Sequence, residues 1–328
     1  SGTYTTYGLA NNPFKTQQTL TAKFYSATTG FEFGYSGEFA HAFYNWNFGL
    51  DARYTSPNFA INYFGVGNET FYDDDAVTRD FNRVRISQWS VSPSLIYRKD
   101  RVTMRVAPLV ESLDVEYDMG NITGPAGDLA PTDDVFERQL YAGGEVSLQY
   151  KNKSGEISFI RRGFQFDVTA GYKTNIDDYN NEVTYLKPTL SIDYPLHRSG
   201  AAVLATKIGA HMNFGDEYEF YHGATLGGNN DLRGFRNERF NGQTAFYQST
   251  DLRVGVFQFR TNFIPIRLGL SAGFDYGRVW VDNDNSDQWH NSYGGSIFIN
   301  GFKALTANVG YYQSSELGRV IFTLGFRF

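Results

Sequence analysis

Apolar and polar residues alternate with a period of two along almost the whole chain, and this pattern restricts the fold more than any other feature. In the last segment Val320, Phe322, Leu324, Phe326 and Phe328 interleave with Arg319, Ile321, Thr323, Gly325 and Arg327. Phe164, Phe166, Val168, Ala170 and Tyr172 do the same against Gln165, Asp167, Thr169, Gly171 and Lys173. Ala142 to Tyr150 and Trp89 to Tyr97 repeat the pattern, each with one apolar row and one polar or small row. Helical periodicity is convincing nowhere.

The connections between these segments alternate as well, short then long. Short ones are read at Thr28-Thr29-Gly30, Ser56-Pro57-Asn58, Lys99-Asp100-Arg101, 197–200, Ile264-Pro265 and Asn300-Gly301. Long ones are read at 73–80, 117–136, 176–181, 215–247 and 282–292. Tight turns on one rim and long loops on the other are what a bacterial outer-membrane barrel shows. Counting back from Phe328, with Thr3 to Leu9 as the first strand, gives about sixteen strands, each able to supply the roughly 9–11 residues a tilted membrane strand needs. The expectation is therefore an all-β, closed antiparallel transmembrane barrel occupying 1–328 as a single domain. Tyr54, Tyr97, Tyr150 and Tyr194 lie near short turns, as an interfacial aromatic belt would. A soluble β-sandwich also alternates, but it would not keep turn lengths in phase or turn a polar face inward.

Composition agrees with a barrel and excludes other classes. Aromatic residues make up 17% of the chain, glycine occurs 34 times and cysteine is absent. Mean hydropathy is −0.40, and no run of about 18 apolar residues occurs, which excludes helical spans. Without cysteine there is neither a disulfide framework nor a thiolate metal site. A net charge of −6 spread over many loops gives no reason to expect nucleic acid. No secretory signal is read in the sequence, and Ser1-Gly2 suits either residues added ahead of the chain or the start of an excised fragment.

A barrel of about sixteen strands encloses a lumen that wall side chains cannot fill, so it is a channel or it is plugged. The stretch 215–247 is an unusually long loop, and such loops are usually functional. It carries Gly227-Gly228, Asn229-Asn230-Asp231 and then Leu232-Arg233-Gly234-Phe235. If it enters the lumen, Arg233 needs an acceptor, because an unpaired guanidinium out of bulk water is costly. Leu268, Leu270, Ala272, Phe274 and Tyr276 form the lipid-facing row of one strand, leaving Gly269, Ser271, Gly273, Asp275 and Gly277 inward. Small residues around Asp275 let another backbone approach, and its carboxylate suits bidentate contact with Arg233. The alternative is that both residues line a solvated pore.

These residues resemble the superfamily of BamA-type assembly barrels, TamA-type barrels and two-partner secretion transporters. Leu232-Arg233-Gly234-Phe235 is similar to its (V/L)RG(F/Y) signature in the sixth outer loop. Asp275-Tyr276-Gly277-Arg278-Val279-Trp280 resembles the DxGxVW signature of the thirteenth strand, whose aspartate pairs with the loop arginine in that family. By the sequence count the loop joins strands eleven and twelve. Terminal Phe328 resembles the aromatic end of the barrel insertion signal, with Phe326 and Gly325 beside it in the last strand. Two departures stand out. Gly273 replaces an aromatic, a loss that Phe235 would have to make good, and Asp251-Leu252-Arg253 replaces a Glu-Leu-Arg-like stretch. Asn62 to Thr70 faintly resembles barrels fused to calcineurin-like phosphoesterases.

The resemblance implies a barrel that inserts or translocates proteins, with nascent or secreted polypeptides as clients and periplasmic modules as partners. It implies an outer membrane with lipid and lipopolysaccharide around it. In that family the seam between first and last strands opens sideways, and Gly8 and Gly325 would weaken it. An anchor or export pore for a phosphoesterase or patatin-like module is one alternative; a passive porin is another. No cofactor, metal or catalysis is expected. The five histidines lack metal spacing, and only inward-facing His211 offers a nucleus for a phospholipase triad. Asp282 to Asp287 resembles half a calcium loop, and Asp73-Asp74-Asp75 reads as solvated acid. Arg83 and Arg85 suit lipopolysaccharide phosphates or ordinary loop ion pairs.

Overall fold

A computed structural model of the chain describes every residue except 9–10, 71, 73–79, 125–133, 155–159, 180, 199–200, 216–217, 229–230, 261–264, 283, 302–304 and 327–328. Its strands are β1 (Gly2–Gly8), β2 (Asn11–Tyr25), β3 (Gly30–Phe43), β4 (Trp46–Thr55), β5 (Ala60–Asn62), β6 (Arg83–Lys99), β7 (Val102–Val115), β8 (Gln139–Ser154) and β9 (Arg162–Asn175). The chain continues with β10 (Glu182–Pro195), β11 (Ala202–Phe214), β12 (Ala224–Leu226), β13 (Phe240–Gly242), β14 (Thr244–Arg260), β15 (Pro265–Trp280), β16 (His290–Gly301), β17 (Leu305–Ser314) and β18 (Gly318–Phe326).

One 16-stranded antiparallel sheet results, in which β5 pairs with β6 off the main path. Along the main path each strand pairs with the next, β4 with β6 past β5 and β11 with β14 past β12 and β13, which form a separate two-stranded sheet. Long strands form because the period-two pattern gives each a lipid face and a polar face. The outward row is apolar: Leu20, Phe24, Leu270, Phe274, Phe322 and Leu324 are all exposed. The inward row holds the buried polar residues, among them Glu111, Asp193, Asp251 and Asp275.

The two rims differ as expected, with corrections near the N-terminus. The connections β4–β6, β7–β8, β11–β14 and β15–β16 share one rim; β3–β4, β6–β7 and β10–β11 turn at the other. Thr28-Thr29 therefore lies on the long-loop rim, between β2 and β3, and the short turn is at Tyr44-Asn45. Ser56-Pro57-Asn58 opens the long β4–β6 connection instead of closing a hairpin. The strand implied after it is reduced to β5, because Gly65 and Gly67 take φ of +88° and +107°, where a ladder cannot run. The main path consequently reaches the long loop one strand earlier than the sequence count gave. Tyr54 moves to the long-loop rim beside Phe31, whereas Tyr97 packs on Trp46 and Tyr150 stacks on Phe164 near the short turns. Thr244 to Tyr247, taken with the loop in the sequence, belong to β14.

At the seam, the β1–β2 register shifts between Thr6 and Gly8, and Gly325 lies opposite Thr306. Phe328, proposed as an insertion signal, falls outside the described residues, as do Asp73-Asp74-Asp75.

Candidate functional site

The loop between β11 and β14 carries its own small core. Leu226, Leu232, Phe235 and Phe240 pack on Ala245 and Val279 of the sheet and are essentially inaccessible. Asp231 accepts from the backbone N–H groups of Gly227 and Leu232, which shapes the turn leading into Arg233. Burial raises the Asp231 pKa despite those two bonds. The loop backbone then presses on the sheet at Gly234, where a Cβ would meet the Ser292 side chain at 2.7 Å and the Gln313 backbone at 2.9 Å.

Arg233 lies against the inward row of β15. Its Nη2 donates to Asp275 Oδ1 at 2.5 Å, its Nε to Oδ2 at 2.9 Å, and its own backbone N–H to Oδ2 at 3.1 Å. Asp275 has no exposed surface; Ser249 and Ser292 add hydroxyl donors at 2.7 and 2.9 Å. The carboxylate is thus satisfied from the loop and from both neighbouring strands, the condition under which a buried charge is tolerated. Burial disfavours the Arg233 cation. Bonding to Asp275 and the charges of Asp251 and Asp275 outweigh that and hold its pKa above the ordinary value.

Two further partners were not singled out from the sequence. Arg233 Nη1 donates to Asp251 Oδ1 at 2.7 Å and to the Tyr312 hydroxyl at 2.6 Å, and its guanidinium lies 4.1 Å from the Tyr312 ring centre. The departures at Gly273 and Asp251 are thereby explained. A Cβ on Gly273 would come within 2.6 Å of Arg233 Nη2 and 2.9 Å of the Tyr312 hydroxyl. The wall is bare at this point so that the guanidinium can lie flat, and the aromatic comes from β17, not from β15 or Phe235. Phe235 instead packs edge-on to Phe240, and Gly277 sits opposite Tyr247 on β14. Arg319 of β18 donates to the Phe235 carbonyl.

Other loops hold the same segment. Arg239, only 2% exposed, bonds Glu316 through Nε at 2.9 Å and the Thr70 carbonyl through Nη2 at 2.6 Å. Asn68 pairs with the Val279 backbone in both directions, at 2.7 and 3.0 Å, and Glu238 accepts from the Asn62 N–H at 2.7 Å. Segment 62–70, first noted for a faint family likeness, thus braces the loop. His222, on the same connection, is fully enclosed among Tyr141, Tyr221, Glu111 and Lys173; burial above all lowers its pKa to about 4.

The remaining sequence candidates do not assemble into a reactive centre. His211 stands edge-on to Tyr185, and its Nε2 has no hydrogen-bond partner, so no serine is activated through that atom. Asp284 accepts from the Ser286 N–H, and the Asp287 side chain is fully exposed. Among the described residues no cluster of three potential metal ligands occurs. Arg83 and Arg85 are ion-paired with Asp80 and Glu116.

Residues 144–301 match the family of haemolysin secretion/activation proteins ShlB/FhaC/HecB, a stretch that includes both Arg233 and Asp275. Over that stretch, just under half of its length, the chain is similar to that family. Among solved structures, BamA from Haemophilus ducreyi lacking POTRA domains 1-3 is 14% identical with a TM-score of 0.65, over 95% of this chain and 64% of that one. CdiB from Escherichia coli is 10% identical with a TM-score of 0.53, over 99% of this chain and 62% of that one. CdiB from Acinetobacter baumannii is 10% identical with a TM-score of 0.52, over 95% and 53%. At these identities the likeness speaks for the fold, and this chain spans under two thirds of each of those chains. None of the curated proteins compared matches it.

Proposed function

We propose that this chain is the barrel of an outer-membrane protein transporter, closed between β1 and β18, with the 215–243 loop folded into its lumen and pinned there by Arg233 on Asp275. The pore stays shut until a secreted or nascent polypeptide is translocated or inserted. One observation carries this reading: the loop arginine reaches a wholly buried carboxylate on the wall row opposite the lipid-facing one. Leu232 and Phe235 support it by burying apolar surface against the same wall, Gly234 by letting the loop backbone approach Ser292 and Gln313, and Gly277 by leaving room for the Leu226 side chain of the loop. Periplasmic modules would deliver the client, and lipid with lipopolysaccharide would surround the outward row.

No catalytic role is proposed. A passive porin is disfavoured because a constriction loop lining a wet pore needs no desolvated ion pair. An anchoring role for a fused enzyme module draws no support from segment 62–70, whose contacts are spent on the loop.

Planar-bilayer conductance of the purified barrel tests the proposal. The unaltered protein should be quiet, and Arg233→Ala should raise the open-channel current severalfold. A steady large current from the unaltered protein, unchanged by Arg233→Ala, would identify a porin.

A further inference from the structure

Cations at the short-turn rim differ by the row they occupy. On the inward row Arg98, Arg105 and Lys153 are each neutralised: Arg98 by Glu38, Arg105 by Asp51 at 2.6 Å and Lys153 by Asp193 at 2.7 Å. On the outward row and in the turns the cations lack such partners. Lys99 ends β6 in the row of Leu95 and Tyr97, and Arg101 follows it in the β6–β7 turn. Arg162 opens β9 in the row of Phe164 and Phe166, and Arg198 lies in the β10–β11 turn. All four are exposed and none is ion-paired among the described residues; Arg162 donates only to the Ser154 hydroxyl, at 3.2 Å. Asp100 is the exposed acid described on the same turns. At the opposite rim the outward cations Arg85 and Arg138 are matched by Glu116 and Asp114.

The four cations stand on consecutive turns, with two strand spacings, about 10 Å, between neighbours. One step toward the middle of the wall, on the same outward row, Trp46 packs on Tyr97 and Tyr150 stacks on Phe164, with exposed Tyr194 on β10. Rings of this kind take the boundary between hydrocarbon and headgroups, so side chains just beyond them reach the phosphate layer. Anionic lipids gather at basic clusters near a membrane surface, and arginine forks suit phosphate oxygens. A polypeptide in the lumen would instead meet the inward row, where the charge is already balanced. We propose that the outward arc of the short-turn rim, from β6 to β11, binds anionic phospholipid headgroups of the phosphatidylglycerol class in the periplasmic leaflet. The assignment rests on the outer-membrane barrel reading above and adds a lipid partner to it.

Trp46 serves as a reporter at this depth. In a chain carrying Trp89→Phe, Trp280→Phe and Trp289→Phe, reconstituted in phosphatidylcholine vesicles, quenching by brominated phosphatidylglycerol and by brominated phosphatidylcholine measures the lipid preference beside Trp46. The anionic lipid should be preferred about fivefold, and the preference should fall to near parity in Lys99→Gln/Arg101→Gln. Arg162→Gln/Arg198→Gln should reduce it in part, and Arg85→Gln, at the opposite rim, should leave it unchanged. Heat-dependent gel migration verifies folding; should the triple tryptophan replacement misfold, the same titration of the native four-tryptophan chain with and without Lys99→Gln/Arg101→Gln carries the test. Equal quenching by the two lipids, or a preference unaltered in both double variants, would overturn the assignment. Loss of the preference on adding inorganic phosphate at constant ionic strength would overturn it in favour of the free ion. Binding of soluble polyglutamate through Lys99 and Arg101, without any lipid preference, would overturn it in favour of an acidic polypeptide. If the lipid preference is absent while Arg233→Ala still opens the pore, the lipid surface falls and the loop reading stands; quenching of Trp46 by neither lipid would remove both.

Discussion

Arg233 and Arg239 belong to one loop and are both buried, yet they are held by different kinds of neighbour. Arg233 meets Asp275, Asp251 and Tyr312, which stand on β15, β14 and β17 and are fixed by strand pairing before the loop arrives. Arg239 meets Thr70 and Glu316, which belong to other rim connections. The first site is preorganised, so its bonds stabilise the loop with little ordering cost; the second must order two loops at once. Where the first partner is lost, a buried carboxylate or guanidinium is stranded. Where the second is lost, Glu316, 19% exposed, can rehydrate.

Removing charge at each site should expose that difference. Asp275→Asn should weaken the hold on the loop by about 3 kcal/mol, and Glu316→Gln by about 1 kcal/mol or less. The urea concentration at which a nonspecific protease begins to cut within 215–243 measures both. Equal shifts for the two variants would show that strand-borne and loop-borne partners hold alike.

The His222 contact sharpens the comparison, because it joins this loop to wall residues through a group that titrates. Its folded pKa of about 4 lies below the ordinary 6.5, so the unfolded or undocked state takes up a proton first as pH falls. The loop therefore loses stability from about pH 6.5 downward, by about 2 kcal/mol at pH 5. Asp231 and Glu238 act in the opposite sense. Burial raises both pKa values, so acidification toward those values favours the docked loop. His222→Gln should leave only that opposing effect, and protease protection of the loop should then be kept or strengthened between pH 7 and 5. Protection that falls equally in both proteins would remove His222 from the account.

Gly273→Ala should have the smallest effect, about 1 kcal/mol, because the added methyl displaces the guanidinium from Tyr312 and Asp251 while Asp275 remains in reach. The same protease assay reads it, and a variant indistinguishable from the parent would show that the bare wall is incidental.

The same contrast separates what was legible in the sequence from what was not. Alternation and turn lengths revealed the barrel, because a two-faced strand leaves a period-two record in every segment. Arg233 and Asp275 were legible because each sits in a short motif, and row parity turned Asp275 inward. Tyr312 was not, since it reaches Arg233 across strands that only the sheet register brings together. Arg239 and Asn68 were missed for a similar reason: their partners lie on other loops, and loop-to-loop contacts have no period. The strand count slipped at 56–72, where residues of strand-like composition are diverted by the positive φ of Gly65 and Gly67 into bracing the long loop.

The central claim, that the long loop is docked on the inner wall, is tested most directly by a cysteine pair at Gly234→Cys and Ser292→Cys in this cysteine-free chain. A Cβ at 234 would lie 2.7 Å from that of Ser292 and 2.9 Å from the Gln313 backbone, so the loop must withdraw by about 1 Å to seat it, which brings the two Cβ atoms to the separation a disulfide spans. In intact outer membranes the account predicts near-complete crosslinking under mild oxidation, with the pore remaining silent. Free thiols at both positions, equally reactive toward a bulky water-soluble reagent added from outside, would contradict it.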